Sequence, residues 1–126
     1  MAAIGFCLGG MVALELARSG ADLKGVVSFH GGLATTQPAV GGQMKAKVLV
    51  CHGALDPFTT LENVTTFANE MQAAGVDFQV ILYGGAKHGF TNPAADGFGH
   101  PGVAYHELSD VRSWEAMRQF FAELFS

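Results

Sequence analysis

Three side chains suited to nucleophilic catalysis are spread through this chain in the order cysteine, aspartate, histidine. Cys7 lies in Gly-Phe-Cys-Leu-Gly, Asp56 in His-Gly-Ala-Leu-Asp-Pro and His88 in Gly-Gly-Ala-Lys-His-Gly-Phe. A thiol can attack an acyl carbon when a histidine takes its proton and an acid holds that histidine in the useful tautomer. The three residue types therefore predict acyl transfer through a cysteine nucleophile, provided that the fold brings them together.

Cys7 is expected at a sharp turn between a strand and a helix. An apolar run at residues 2–6 precedes it, and a helix-like apolar run at residues 10–18 follows it. Gly-x-Cys-x-Gly has the spacing of the nucleophile elbow Gly-x-Ser-x-Gly, and we expect both glycines to be needed because side chains there would collide with backbone. The helix N-terminus should favour the thiolate of Cys7, and the N–H of Leu8 should donate to an oxyanion.

The other two residues are each expected just beyond the carboxyl end of a strand. Asp56 follows a β-like run at residues 47–52, and His88 follows another at residues 78–83. A further strand is predicted at residues 25–29. Because parallel strands end at a common edge, where open α/β sheets bind ligands, the three candidate residues can meet there.

Helices are predicted between and after these strands. The segment at residues 59–74 opens with Thr59-x-x-Glu62, which has the form of a capping box. Ser109 or Asp110 is expected to cap a final helix. The apolar stripe of that helix should be buried and consists of Val111, Trp114, Met117, Phe121 and Leu124. Four strands alternating with helices predict a parallel α/β sheet.

These motifs resemble those of the dienelactone hydrolase (carboxymethylenebutenolidase) family, whose members use a Cys-His-Asp triad. The resemblance rests on Gly-Phe-Cys-Leu-Gly-Gly, His-Gly-x-x-Asp-Pro, Tyr-Gly-Gly-x-x-His-Gly-Phe and the helix around residues 112–114, and it runs over nearly all 126 residues. It implies that Cys7, Asp56 and His88 form the catalytic triad. It also implies that residues 1–126 are a single partial α/β-hydrolase domain, the C-terminal half, which lacks the N-terminal strands.

One position departs from the family pattern. Dienelactone hydrolases proper carry an arginine shortly after the catalytic histidine, where this chain has Asn92. The second oxyanion-hole donor of the family, its other carboxylate-binding arginine and the glutamate that contacts the resting cysteine belong to the missing half. The resemblance therefore implies hydrolysis of an ester or lactone without naming the substrate. Possible pocket residues are His30, Phe58, Phe90 and Asn92.

Composition and charge exclude several classes of function. With 49% hydrophobic residues, 14% charged residues and a formal net charge of −4, the chain lacks the basic surface that nucleic acid requires. Its two cysteines make no disulfide framework and suit a reducing compartment, so a cytoplasmic protein is expected. Residues 2–17 have no basic flank and are interrupted by Glu15, so neither a signal peptide nor a membrane partner is expected.

No cofactor and no metal site is expected from the sequence. Asp96, His100 and His106 lie near one another in the chain, but they lack the spacing of known metal motifs. The glycine pairs lack the residues of a phosphate-binding loop. Non-catalytic interpretations of two candidate residues also stay open. In these, Cys7 is a small buried hydrophobic residue, and Asp56 is a turn residue before Pro57.

Three hypotheses about function remain. The first is an ester or lactone hydrolase that is active once the missing half is supplied. The second is a truncated, inactive half-domain that folds as an oligomer, and the third is another thiol-dependent acyl-transfer enzyme. Because the strand at residues 2–6 would lack a neighbour on one side, we expect a homo-oligomer whose interface includes residues 1–17.

Overall fold

The computed structural model describes residues 1–126 and contains one sheet of four parallel strands. The strands are β1 (Ala2–Phe6), β2 (Gly25–Phe29), β3 (Lys47–Gly53) and β4 (Phe78–Tyr83), and they lie in that order across the sheet. The helices are α1 (Leu8–Arg18), α2 (Leu61–Ala73) and α3 (Glu107–Leu124), with a 3₁₀ turn at Ala95–Phe98. The predicted partial α/β sheet is confirmed.

Apolar side chains cover both faces of the sheet. Helices α1 and α2 pack on one face, and α3 packs on the other. The first cluster contains Leu14, Ala17, Val26, Val48, Val50, Val64, Phe67 and Met71. The second contains Val27, Phe29, Leu49, Cys51, Tyr83, Met117 and Phe120. Successive residues of a strand face opposite sides, so the continuous apolar runs of β2 and β3 fit a parallel sheet covered on both faces.

The capping box of α2 lies one residue later than the sequence pattern indicates. The Thr60 hydroxyl accepts a hydrogen bond from the N–H of Asn63, and the Asn63 side chain accepts one from the N–H of Thr60. Thr59 is buried, and its carbonyl oxygen lies 2.8 Å from Nε2 of His52. The predicted pairing of Thr59 with Glu62 is therefore wrong, because Thr59 belongs to the buried turn before the helix.

Helix α3 begins earlier than predicted and faces the sheet with a different stripe. The imidazole of His106 accepts the N–H of Ser109 and caps the helix, in place of the predicted Ser109 or Asp110. The buried residues of the helix are Ser109, Ser113, Met117 and Phe120. Val111 and Trp114 are 61% and 48% exposed, so their predicted burial is wrong. Met117 is buried as predicted, and Phe121 and Leu124 are partly buried against the second cluster. The small serines occupy the inner face of the first turns, which turns the larger side chains outward.

A buried arginine ties α1 to α2 and to the loop after β2. The guanidinium of Arg18 donates to the two carboxylate oxygens of Glu70 at 2.7 and 2.9 Å and to the carbonyl oxygen of Leu33 at 2.8 Å. Glu70 also accepts the N–H of Ala39. The Arg18–Glu70 ion pair thus holds the loop at two points, Leu33 and Ala39. Removing one member of such a buried pair costs about 3–5 kcal/mol, because the other charge is left unpaired.

Strand β1 lies at the edge of the sheet, and α1 leaves part of its apolar surface uncovered. β1 pairs with β2 alone. Leu8, Val12 and Leu16 follow one another at four-residue spacing on one side of α1 and are 68%, 56% and 45% exposed. Helix α1 therefore exposes an apolar stripe beside the edge strand. None of the three helices combines the length and the hydropathy needed to cross a bilayer.

Only one of the two glycines that flank Cys7 is required by its surroundings. A Cβ on Gly5 would lie 2.1 Å from the carbonyl oxygen of Gly9, whereas a Cβ on Gly9 would meet nothing within 4 Å. The expected collision is therefore real at Gly5 and absent at Gly9. Gly10 is the second crowded position, since a Cβ there would lie 2.4 Å from Oγ of Ser28.

We expect Gly5→Ala to lower the free energy of unfolding by at least about 1–3 kcal/mol, because backbone atoms must shift to admit the methyl group. Gly9→Ala is the matched control. It places alanine at an exposed helical position and should leave stability unchanged or raise it by up to about 1 kcal/mol. Urea unfolding followed by circular dichroism compares the two variants. Equal destabilisation by both would contradict this account of the turn.

Candidate active site

The backbone at the junction of β1 and α1 fixes the position of Cys7. This residue has φ 52° and ψ −119°, a conformation that residues with side chains rarely adopt. Its N–H donates to the carbonyl oxygen of Phe29 at 3.0 Å. Its own carbonyl oxygen accepts the N–H groups of Gly10 and Met11 at 3.0 and 3.2 Å. The predicted strand-to-helix turn is therefore present and is held by β2 on one side and by the first turn of α1 on the other.

Asp56 and His88 form the hydrogen bond that the sequence predicts. Nδ1 of His88 donates to Oδ2 of Asp56 at 2.9 Å. Oδ1 of the same carboxylate accepts the N–H groups of Phe58 and Thr59 at 2.8 and 3.1 Å. Asp56 is 3% exposed, so this carboxylate is buried with three donors around it. It fixes the His88 tautomer with the proton on Nδ1 and leaves Nε2 as the acceptor.

Backbone contacts within the loop after β4 hold His88 in place. Its N–H donates to the carbonyl oxygen of Gly102 at 3.1 Å, and its carbonyl oxygen accepts the N–H of Ala104 at 3.2 Å. A Cβ on Gly102 would lie 2.4 Å from Cγ of Pro57, so this part of the loop packs directly on the turn that carries Asp56. The two loops therefore position the imidazole and the carboxylate as one unit.

A second histidine lies directly beside the sulfur of Cys7. Nδ1 of His30 is 3.2 Å from Sγ, and its Nε2 is 2.9 Å from the hydroxyl of Thr91. His30 is 1% exposed, has φ 42°, and follows β2 as Cys7 follows β1. The sequence marks His30 only as a possible pocket residue and does not mark Thr91 at all. Each of these two residues directly follows one of two adjacent strands, and this placement is the sequence signal that could have paired His30 with Cys7.

The side chains converge at the carboxyl edge of the sheet, as the strand pattern predicts. Sγ of Cys7, one ring nitrogen of His30 and one ring nitrogen of His88 all lie within 4.8 Å of one another. The two imidazole rings meet edge to face with their centroids 5.5 Å apart. Since Nδ1 of His88 is bonded to Asp56, Nε2 is the nitrogen left to interact with the thiol.

Burial and charge set the protonation of this cluster. Burial raises the pKa of the Cys7 thiol, and the negative charge of Asp56 raises it further. Burial lowers the pKa of His30 to about 4, and the nearby His88 adds to that effect. Burial by itself would raise the pKa of Asp56, but hydrogen bonds from His88 and two backbone amides outweigh it and bring the pKa below its usual value.

At neutral pH the resting site therefore holds a protonated thiol, a neutral His30 and an ionised Asp56. Burial and the charge of Asp56 thus act on the Cys7 thiol in the direction opposite to the effect expected from the helix N-terminus. The helix dipole acts in the opposite direction and contributes about 0.3–1 kcal/mol at a helix end.

The remaining predicted pocket residues lie in three different environments. Phe58 is 55% exposed, and its ring meets His88 edge to face at 5.2 Å, so it borders the cluster. Phe90 is fully buried and packs edge-on against His30 at 5.0 Å, so it supports that ring from the core instead of lining an open pocket. Asn92 is exposed, and its side chain accepts a backbone N–H two residues later in a local turn.

The cavities of the fold lie away from this cluster. Two of them, of about 180 and 170 Å³, lie beside the loop after β2 and share Pro38 in their walls. None of the five cavities is lined by Cys7, Asp56 or His88. Residues 1–126 thus assemble reactive groups without building a walled pocket around them.

Comparison of the chain with known proteins identifies its family. The family model of the dienelactone hydrolase family matches residues 1–125. The chain belongs to the dienelactone hydrolase family. A solved structure named m3DLH is 51% identical with a TM-score of 0.93, and a dienelactone hydrolase-like promiscuous phosphotriesterase from metagenomic libraries is 47% identical with a TM-score of 0.92. An uncharacterised Caenorhabditis elegans protein is 36% identical over 131 residues.

The alignments cover nearly all of this chain but only part of its solved relatives. They include 99% and 98% of this chain and 52% of each of the two solved chains. For the Caenorhabditis elegans protein they include 100% of this chain and 81% of the relative. This dienelactone hydrolase family chain therefore spans about half the length of the solved relatives it matches.

Iodoacetamide should label Cys7 faster than Cys51. Cys51 is fully buried and burial raises its pKa to about 12, whereas Cys7 is partly exposed. Because the pKa of Cys7 is also raised, its labelling rate should still be increasing above about pH 9, where a free thiol of pKa about 8.5 is mostly ionised. Peptide mass spectrometry after brief labelling at several pH values measures both sites. Equal labelling, or a midpoint for Cys7 below that of free cysteine, would contradict the described environment.

Proposed function

We propose that this chain carries the catalytic residues of a hydrolase that cleaves ester or lactone bonds through an acyl-cysteine intermediate. Cys7 is the nucleophile, His88 is the general base and acid, and Asp56 holds the imidazole. The observation that carries the proposal is the 2.9 Å hydrogen bond between buried Asp56 and His88, with a ring nitrogen of His88 within 4.8 Å of the Cys7 sulfur. Membership of a hydrolase family supports it.

The reaction runs in two acyl-transfer steps. Nε2 of His88 takes the thiol proton while the sulfur of Cys7 attacks the carbonyl carbon. The carboxylate of Asp56 stabilises the imidazolium, which then protonates the departing alkoxide and leaves an acyl-cysteine. Water attacks this thioester, His88 takes a proton from the water, and the sulfur departs and regains its proton. Since the resting thiol is protonated, proton removal belongs to the attack itself.

His30 is the weaker candidate for the base although it lies beside the sulfur. Its other nitrogen contacts the uncharged hydroxyl of Thr91, and burial lowers its pKa to about 4. An imidazole of such low basicity accepts a thiol proton less readily than one that faces a carboxylate. We assign His30 to holding the orientation of the Cys7 sulfur through the 3.2 Å contact.

Stabilisation of the tetrahedral intermediate is the incomplete part of the mechanism. Leu8 is the first residue of α1, so its N–H has no acceptor within the helix and is free to donate to the oxyanion. The family resemblance places the second donor in a loop that follows an earlier strand. Loss of one such donor costs about 3 kcal/mol, or roughly 10²–10³-fold in kcat. Turnover by residues 1–126 alone should be correspondingly slow.

A phosphotriester is a second candidate substrate. The relative that is 47% identical is described as a promiscuous phosphotriesterase, and its structure matches with a TM-score of 0.92. The same thiol would attack phosphorus in place of carbon and displace an aryloxide or alkoxide, with the imidazole taking the thiol proton and passing it to the departing oxygen. A p-nitrophenyl dialkyl phosphate therefore belongs beside p-nitrophenyl esters in the substrate assay. Another thiol-dependent acyl transfer, to an amine or alcohol instead of water, would appear as a different product.

A non-catalytic alternative rests on the uncovered surface of β1 and α1. Under it, the chain is a half-domain whose free edge is covered by a second copy and which does not turn over substrate. The edge position of β1 and the exposed side chains of Leu8, Val12 and Leu16 favour this association. Association and catalysis do not exclude each other, so each is measured separately.

Cys7→Ala should abolish the hydrolysis of p-nitrophenyl acetate without unfolding the chain, since a small side chain is replaced by one of similar volume. Asp56→Asn should lower kcat by up to about 10⁴-fold, because the amide no longer fixes the His88 tautomer. Cys51→Ala, which changes the buried thiol of β3, is the matched control and should keep most of the activity. Steady-state kinetics and circular dichroism of each variant measure these effects.

Activity retained by Cys7→Ala would remove the nucleophile assignment. Should wild type itself show no turnover, a burst of nitrophenolate of one equivalent per Cys7 would still report acylation. Absence of both burst and turnover, with the fold intact, would favour the non-catalytic half-domain.

The isolated chain should form a homodimer or larger assembly whose interface includes residues 1–17 and buries more than about 1,000 Å² in total. Light scattering coupled to size-exclusion chromatography at micromolar concentration tests this. Val12→Glu places a charge in the centre of the exposed stripe and should shift the chain toward monomer, whereas Val111→Glu, on an exposed part of α3, is the matched control. A stable wild-type monomer would contradict the proposal.

A further inference from the structure

The cluster of Cys7, His30 and His88 has the ligand types and the spacing of a zinc site. Its three ligand atoms lie within 4.8 Å of one another, and Nδ1 of His30 is already 3.2 Å from Sγ. Ligand atoms around a tetrahedral zinc ion, at about 2.0–2.3 Å from the metal, lie about 3.5 Å from one another. Side-chain rotations that move the ligand atoms by about 1 Å therefore suffice to bring all three within bonding distance of one ion.

Both histidines are also held in the way that metal ligands are held. Zinc-binding histidines donate their second ring N–H to a carboxylate, carbonyl or similar acceptor, which fixes the ring and its tautomer. Here Nδ1 of His88 donates to Asp56 at 2.9 Å, and Nε2 of His30 lies 2.9 Å from the hydroxyl of Thr91. Each ring is thus anchored by the nitrogen that faces away from the sulfur, and the other nitrogen is available for a metal.

We propose that this cluster binds Zn²⁺ through Sγ of Cys7, Nδ1 of His30 and Nε2 of His88, with the fourth position left to water. One sulfur and two imidazoles favour zinc over Mg²⁺ and Ca²⁺, which take oxygen ligands. On binding, the S–H bond breaks, a sulfur–zinc bond forms, and the proton passes to the buffer.

Zinc at this position blocks the chemistry of the site. The ion occupies the sulfur that attacks and the nitrogen that takes the proton, so the zinc-bound chain cannot begin acyl transfer. Only this consequence rests on the proposed function. Binding itself depends on three ligands whose geometry is independent of any substrate.

His100 and His106, in the segment between β4 and α3, do not compete for the ion. Nδ1 of His100 accepts the N–H of Gly102 at 2.8 Å, and the imidazole of His106 caps α3. Asp96 accepts the N–H of Tyr105. These residues serve local turns, and they do not form a cluster of three ligand atoms. His100 is exposed and therefore provides a control position outside the site.

Co²⁺ is the spectroscopic probe, because it takes tetrahedral zinc sites and a cobalt–thiolate bond absorbs in the near ultraviolet. Titration of the full chain should give this band at one equivalent of Co²⁺, and Zn²⁺ should remove it by displacement. Cys7→Ser should abolish the band, while His100→Ala should bind as wild type does. Circular dichroism of each variant establishes that the fold is retained.

Zinc affinity, measured by competition with a chelating dye, should fall in variants that remove a ligand or the group that anchors a ligand. Asp56→Asn and Thr91→Val, which remove the anchors of the two rings, should each weaken binding by roughly 10–100-fold. His30→Ala removes a ligand and should weaken it by more than either. Saturating Zn²⁺ should also slow iodoacetamide labelling of Cys7, and EDTA should restore it.

The zinc proposal is overturned by absence of saturable binding at millimolar metal, by a band that persists in Cys7→Ser, or by unchanged affinity in His30→Ala. Its failure is distinct from failure of the hydrolase proposal. Esterase activity that depends on Cys7 without any cobalt band would refute the zinc site alone. A cobalt band with the expected variant pattern, but without acylation of Cys7, would refute the hydrolase alone.

Discussion

The register between two neighbouring strands is the constraint on which this site depends. Phe6 pairs with Phe29, so the residues that follow them, Cys7 and His30, leave the sheet side by side. Both have positive φ, at 52° and 42°, and such strained backbone costs of order 1–3 kcal/mol at each residue. The hydrogen bond from the Cys7 N–H to Phe29 ties one strained turn to the strand that carries the other. A shift of one residue would turn every side chain of a strand to the opposite face and separate the sulfur from the imidazole.

The buried carboxylate of Asp56 acts on the two reactive groups in opposite senses. Through its hydrogen bond it orients His88, and in the proposed mechanism it would stabilise the imidazolium. Through its charge it disfavours the thiolate of Cys7. Together with burial of the sulfur, this charge raises the pKa of the Cys7 thiol and opposes formation of the thiolate before attack. Asp56 can remain ionised in the interior because three hydrogen-bond donors replace the water it has lost.

The sequence predicts the elements of this fold better than their detailed contacts. Strand positions and the meeting of Asp56 with His88 follow from apolar runs and from the rule that parallel strands end at one edge. The residue that caps α2 and the residues on the inner face of α3 do not follow from the sequence pattern. Several neighbouring residues can fill each role, and tertiary packing selects among them. The contact of His30 with Cys7 depends on strand register and on two unusual backbone angles, neither of which a single sequence displays. The protonation of Cys7 depends on the burial of its sulfur, on the dipole of α1 and on the charge of Asp56. The sequence motif around Cys7 reveals only the helix dipole.

Strand β1 lies at the edge of the sheet, and Cys7 follows it directly. Phe6 and Leu8, which flank Cys7, are 41% and 68% exposed, and no cavity of the fold encloses the sulfur. The reactive groups thus lie at the end of the edge strand, next to exposed apolar side chains. Under the proposed hydrolase mechanism, a polypeptide that paired with the free edge of β1 would bring backbone N–H groups and side chains close to the sulfur of Cys7. The proposed association and the proposed catalysis would then depend on the same surface, so that a partner at this edge would change both.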